Sequence, residues 1–141
     1  MEWNYYNTFI TVAADCPAEF GIVPPGRKSG PTKPGIEYEL LANHPYTYTQ
    51  EEVLYQTYIR HKQIPEEEAA AKDAELREAF YLKPQPCLRA SMLPKKYGWG
   101  LHFDEKGRIA LVAKESAEYQ HYAGGAPEVK VLAAMRNSRK G

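Results

Sequence analysis

The side chains that could do chemistry here are few and scattered. The histidines are His44, His61, His102 and His121. None falls into an HExxH or HxH pattern, and none shares a helix face with a carboxylate at ligand spacing, so no metal site is expected. Cys16 and Cys87 match no CxxC, zinc or heme spacing. Ser91 lacks a GxSxG elbow or a lysine–serine motif, so it is no obvious nucleophile. Paired carboxylates for acid–base work would have to be Glu37 and Glu39, or the run Glu66–Glu68. That run opens a helix, where the dipole favours acids, and this accounts for it. GRKSG is not a phosphate-binding P-loop, because the spacing and the following Lys-Ser/Thr are missing. No cofactor is expected.

The most pointed segment is Lys95-Lys96-Tyr97-Gly98-Trp99-Gly100. Glycines inside a strand mark a bulge or a close approach. Here they either make room for a neighbouring element or form a floor beneath a ligand, with Tyr97 beside it. Bases interleaved with aromatics also suit single-stranded nucleic acid. The charge balance argues against that reading, since 18 basic and 18 acidic residues cancel.

The elements that must position these groups come from a chain of 141 residues, 43% hydrophobic and 26% charged. That suits one globular domain, which at this length buries roughly 70% of its unfolded surface. No apolar run is long enough for a membrane helix. MEWNYYNTFI has no basic, apolar leader, so a cytoplasmic location with reduced thiols is expected. Tyrosine and proline number 11 each against 4 phenylalanines, so half-buried amphipathic rings must finish a small core or line a groove. Charge is unevenly spread. Residues 51–82 hold eight acids and four bases, and residues 83–114 hold seven bases and two acids. One half is therefore acidic and the other basic.

Residues 7–13 read as a strand. PPGRKSGPTKPG, residues 24–35, reads as a mobile, basic loop. Thr32 caps a helix to about Ala42. Thr49 and Glu52 form a capping box before a helix to about Lys62, with Leu54, Tyr55, Tyr58 and Ile59 as its buried stripe. A third helix runs over 66–82, anchored by Leu76, Ala79 and Phe80. Residues 87–92, 98–104 and 108–114 read as strands. Asp104–Arg108 is a hairpin turn with Gly107 left-handed, which sets Phe103 opposite Ile109 and Leu101 opposite Leu111. Asp104 and Arg108 then form a cross-strand charge pair. Ser116 caps a short helix to Tyr122. Val129–Arg136 alternates like a strand, although Leu132 and Met135 also allow a helix.

NTFITVAADCP, HPYTYTQEEVLY, CLRASMLPKKYGWGLHFDEKGRIALV and VKVLAAMRNSR resemble a family of small bacterial proteins classed as a domain of unknown function. The resemblance covers nearly the whole chain. It implies a bacterial, cytoplasmic, single-domain protein and brings no activity, ligand or catalytic residue.

The expected fold is α+β: a mainly antiparallel sheet of about four to five strands with helices packed on one face, and residues 137–141 frayed. Alternation sends Leu88, Ala90, Trp99, Leu101, Phe103, Ile109, Leu111, Val129 and Val131 to the core. It sends Arg89, Ser91, His102, Arg108, Lys130 and Arg136 to a basic reverse face. Arg89, His102 and Arg136, with Tyr97 at the rim, are the candidate ligand-binding residues, a guanidinium and imidazole set suited to an anion. Two functions fit. One is a binding module for a small anionic ligand or an acidic protein partner. The other is an enzyme using this Arg/His/Lys face.

Overall fold

The computed structural model describes residues 4–26 and 30–137. The fold is α+β. Four strands form one mixed sheet in the order β3-β2-β1-β4, with β1 Thr8–Thr11, β2 Trp99–Phe103, β3 Ile109–Ala113 and β4 Lys130–Ala133. β1–β2 and β2–β3 are antiparallel, while β1–β4 is parallel. The hairpin is as its turn chemistry dictates: Phe103 pairs with Ile109 and Leu101 with Leu111, and Gly107 has φ 79°. The charge pair across it does not form as expected. The Asp104 carboxylate instead accepts the backbone N–H groups of Lys106 and Arg108, each at 2.9 Å, closing the turn itself.

The helices are α1 Lys33–Asn43, α2 Gln50–His61, α3 Glu66–Ala71, α4 Asp73–Leu82, α5 Met92–Lys96 and α6 Ala117–Ala123. They do not share one face. Ile10, Leu101, Phe103 and Ile109 pack with Leu41 of α1, Val53 of α2 and Leu93 of α5. Phe9 and Val112 alternate to the opposite side and pack with Tyr119 of α6. A sheet whose strands are apolar on both faces must be covered twice, and α6 supplies the second cover.

Several expectations need correction. Residues 87–92 are not a strand: Leu88–Ala90 is a 3-10 turn and Ser91 caps α5 by accepting the Leu93 N–H. Leu88 alternates with Ala90, but such a short apolar run cannot separate a strand from a helical turn. The helix over 66–82 breaks at Lys72 (φ −112°, ψ 23°). Only half the capping box forms. Thr49 accepts the Glu52 N–H, but the Glu52 carboxylate goes to Arg77 at 2.5 Å instead of reaching back. The α2 stripe is Gln50, Val53, Tyr55, Thr57 and Ile59, with Leu54 and Tyr58 only half-buried. In α4 Phe80 is buried, Leu76 is half-buried and Ala79 is exposed.

Strand β4 has the opposite parity to the one expected. Lys130 pairs with Thr8 and so lies on the Phe103 side, while Val131 pairs with Phe9 and lies on the His102 side, 38% exposed. The loop expected over 24–35 is shorter, since Lys33–Gly35 already belong to α1. Its residues 27–29, and residues 138–141 of the expected frayed tail, lie outside the described residues. Asn137 is pinned: its backbone N–H donates to Asp15 at 2.9 Å and its side chain donates to the Lys95 carbonyl at 2.7 Å.

Gly98 and Gly107 both have positive φ, 76° and 79°. A Cβ on Gly98 would also overlap the Phe20 carbonyl, whereas one on Gly107 would sit 3.0 Å from the Tyr5 carbonyl oxygen. Gly107→Val should cost about 1–3 kcal/mol, because a β-branched residue resists this conformation. Gly98→Ala should cost more than Gly107→Ala, because overlap with backbone adds to strain. Urea unfolding of the three variants checks both the size and the order.

Candidate functional site

The four expected ligand-binding residues do not come together. His102 sits on the α6 side of β2. Its ring stacks on Tyr122 with centroids 4.3 Å apart and planes at 16°, and its Nδ1 lies 2.7 Å from the Tyr46 hydroxyl. Burial lowers the His102 pKa against the pull of Asp104, Glu128 and Glu105. Burial also pushes Tyr46 up to about 12, helped by Tyr122 and nearby acids. Arg89 lies on the other side of the sheet, with Leu88 in the core there and Tyr5, its electrostatic neighbour, edge-on to Phe103. Its Nε donates to the Ala133 carbonyl at 2.8 Å and its own carbonyl accepts the Met135 N–H at 2.9 Å. Arg89 therefore fastens the chain beyond β4. Arg136 is exposed on that same segment.

Tyr97 is placed differently. It caps α5, its carbonyl accepts the Ile22 N–H at 2.8 Å, and its side chain lines a cleft of about 730 Å³. The walls are Pro25–Gly26 and Gly30–Pro31, the first turn of α1, the last residues of α2, and α5. Among the described residues, Lys33, His61 and Lys96 are its ionisable lining residues besides Tyr97, and no acid lines it. Lys96 and Tyr97 thus belong to a ligand-sized cleft. The neighbouring glycines serve packing: a Cβ on Gly100 would sit 2.6 Å from the Phe9 ring and 2.9 Å from the Tyr119 ring.

Lys33 and His61 also line an adjoining compartment of about 180 Å³, together with Glu37, Leu54, Thr57, Lys62 and Gln85. Of the carboxylates Glu37 and Glu39 that the sequence offers for acid–base work, Glu39 is exposed and Glu37 is buried. It lies one turn before Leu41 on the buried stripe of α1 and is only 8% exposed. One of its oxygens, Oε1, accepts the Ser91 hydroxyl at 2.7 Å. Desolvation raises its pKa to about 7, against the Ser91 bond and the Lys33 charge, which both lower it. A carboxyl shifted this far by burial and lining a cleft is a candidate functional group. Thr57 lies one turn after Val53 on the buried side of α2, and its hydroxyl is buried without a hydrogen-bond partner. Glu37 carries a signal legible in the sequence, a polar residue on the apolar stripe of Ile36, Leu40 and Leu41, whereas Thr57 carries none, because it shares the buried side of α2 with Gln50.

Gln63 forms another wall of the larger cleft and has φ 56°. It occupies the left-handed position after α2, where Gln63 N–H bonds the Arg60 carbonyl and Ile64 N–H bonds the Ile59 carbonyl, each at 3.1 Å. Glycine is the usual residue in that geometry.

Two stability outcomes follow. An unfolded Glu37 ionises near 4.5, while the folded chain holds its proton to about 7. The folded state therefore binds more protons across that window, and stability falls as pH rises through it, with the full penalty present above 7. The penalty is about 3 kcal/mol. Glu37→Gln should be more stable than the parent at pH 8 by about 2–3 kcal/mol and no more stable at pH 5. An equal difference at both pH values in denaturant titrations would count against a protonated Glu37. Gln63→Gly should gain about 1 kcal/mol, seen as a higher Tm, by relieving the left-handed backbone.

No curated protein and no solved structure matches the chain. A family model does, across residues 1–140. The chain belongs to a family of unknown function, DUF6157.

Proposed function

We propose that this protein is a small binding module whose ligand is a small anion-bearing molecule held in the cleft beside α1. One observation carries the reading. Among the described residues, a concavity of about 730 Å³ has three basic side chains, Lys33, His61 and Lys96, in its walls and no acidic one. Ligand pockets fall in this size range. Pro25, Pro31, Pro34 and Met92 supply apolar wall in a lining that is otherwise largely polar, and Tyr97 belongs to that lining. A concave site favours a small ligand over an acidic protein partner, which would need an open basic face. A bacterial, cytoplasmic setting is part of this reading. Cys16 and Cys87 are free thiols, which suits a reducing compartment. Among the described residues no helix is long and apolar enough to cross a membrane.

The test is calorimetric titration with inorganic phosphate, sulfate and citrate at low salt. At least one should bind, and the double variant Lys33→Ala/Lys96→Ala should lose roughly tenfold or more in affinity, as removal of charge-assisted contacts does. Raising the ionic strength should weaken binding. No binding by any of the three, or equal binding by the double variant, overturns the reading.

A further inference from the structure

Resting on that reading, the smaller compartment shows where the anionic group goes. Ser91 has one hydroxyl proton. Its oxygen already accepts the Leu93 N–H at 3.1 Å, and its proton is given to Glu37 Oε1 at 2.7 Å. Oε1 is therefore an acceptor. When the carboxyl carries a proton, the proton belongs on Oε2, which has no hydrogen-bond partner among the described residues. Thr57 also lines this compartment, and its hydroxyl is buried without a partner among the described residues. Such a hydroxyl is destabilising, so a polar atom that can accept its proton is favoured there. The charged and titratable groups around Glu37 are Lys33 from its own helix and His61 and Lys62 from α2, with Tyr58 beside them. Cys87 approaches from the segment before α5. None of these is an acid.

We propose that the compartment is an oxyanion seat, in which a carboxylate, phosphate or sulfate group of the ligand accepts hydrogen bonds from the protonated Glu37 carboxyl and the Thr57 hydroxyl beside Lys33 and His61. A neutral carboxyl is a donor to an anion, whereas an ionised one repels it. Burial holds Glu37 near the midpoint of its titration at neutral pH. Anion binding favours the protonated form, so a proton enters with the anion. The larger cleft then holds the rest of the ligand. The seat selects anionic heads and couples their capture to pH.

The probes are sulfate and acetate, whose charges do not change between pH 6 and pH 8. Affinity for the wild-type protein should fall roughly tenfold across that window from Glu37 alone. Proton uptake should be visible as a dependence of the binding heat on the buffer's ionisation enthalpy. His61→Asn should leave the pH dependence that belongs to Glu37 in place. Glu37→Gln keeps an acceptor for Ser91 and a donor in place of Oε2–H, without a charge. Its affinity should match wild type at pH 6, exceed it at pH 8, and show no Glu37-linked proton uptake. Thr57→Val should weaken binding roughly fivefold at every pH, and Thr57→Ser should restore it. Circular dichroism and melting curves confirm that each variant is folded. If the probes bind and respond to Lys33→Ala/Lys96→Ala, while Glu37→Gln follows the wild-type pH curve and Thr57→Val binds normally, the seat is overturned and the cleft reading stands. If neither probe binds, the seat is overturned, and the cleft reading falls with it where phosphate and citrate also fail to bind.

Discussion

Burial on both faces of β1 sets the rest of the architecture. Phe9 and Ile10 are adjacent, point to opposite sides, and are each 0% exposed. Ile10 joins the core beneath α1, α2 and α5, and Phe9 joins the smaller core beneath α6. Four residues thus tie two hydrophobic cores together, and both backbone edges of β1 are occupied, by β2 and by β4. α6 and the parallel β4 follow from the need to cover the Phe9 face and to satisfy the free edge of β1. The helices on the Ile10 side are then held by apolar contacts with the sheet, and the space between their ends is the cleft.

The parts of the fold legible in the sequence were those governed by local rules. The Gly107 turn and the alternation around it agree, so the register of β2 against β3 could be stated pair by pair. Thr32, Thr49, Ser91 and Ser116 each accept an N–H at a helix start, and three of these caps were readable as such. Ser91 was not, because the run from Cys87 alternates like a strand over too few residues to reveal its period. The parity of β4 depends on where a parallel partner docks, which no local signal encodes. A shift of one residue exchanges Lys130 and Val131 between faces. The same limit defeated the candidate site. Arg89 and His102 look alike as polar residues in apolar surroundings, but they lie on opposite sides of the sheet, and Arg89 is engaged by backbone carbonyl oxygen.

Tyr97 and Lys96 were singled out and do line the cleft. Glu37 and Thr57 were harder, because their meaning lies in a pairing made by tertiary structure. The helix α1 is short, and its stripe of Ile36, Leu40 and Leu41 packs inward whatever residue occupies position 37. An alanine there would complete the apolar face with no desolvation penalty. The glutamate instead bonds to Ser91, which also caps α5. One hydrogen-bonded chain therefore runs from α1 through Ser91 to the start of α5, and both helices contribute walls to the cleft.

The distribution of unfavourable features points the same way. Three departures from local rules line the two adjoining compartments beside α1: a carboxyl on an apolar stripe and a buried hydroxyl without a partner among the described residues in the smaller, and a glutamine in the left-handed region where glycine belongs in the larger. Each costs stability of order 1–3 kcal/mol, and each could be removed by a single substitution with no loss of core packing. Positive φ also occurs at Asn7 and Tyr46, but Asn7 sits at the entrance to β1 and Tyr46 contacts His102 on the opposite side of the sheet. In the hairpin, turn residues, register and burial all agree. Consistency across levels is what specifies a fold, and clustered exceptions mark the place where something other than folding sets the residues. Here that place is the wall shared by α1 and α2. Two of them are of a kind that the proposed anion would relieve, since it would supply an acceptor for Thr57 and favour the protonated form of Glu37 that burial already favours.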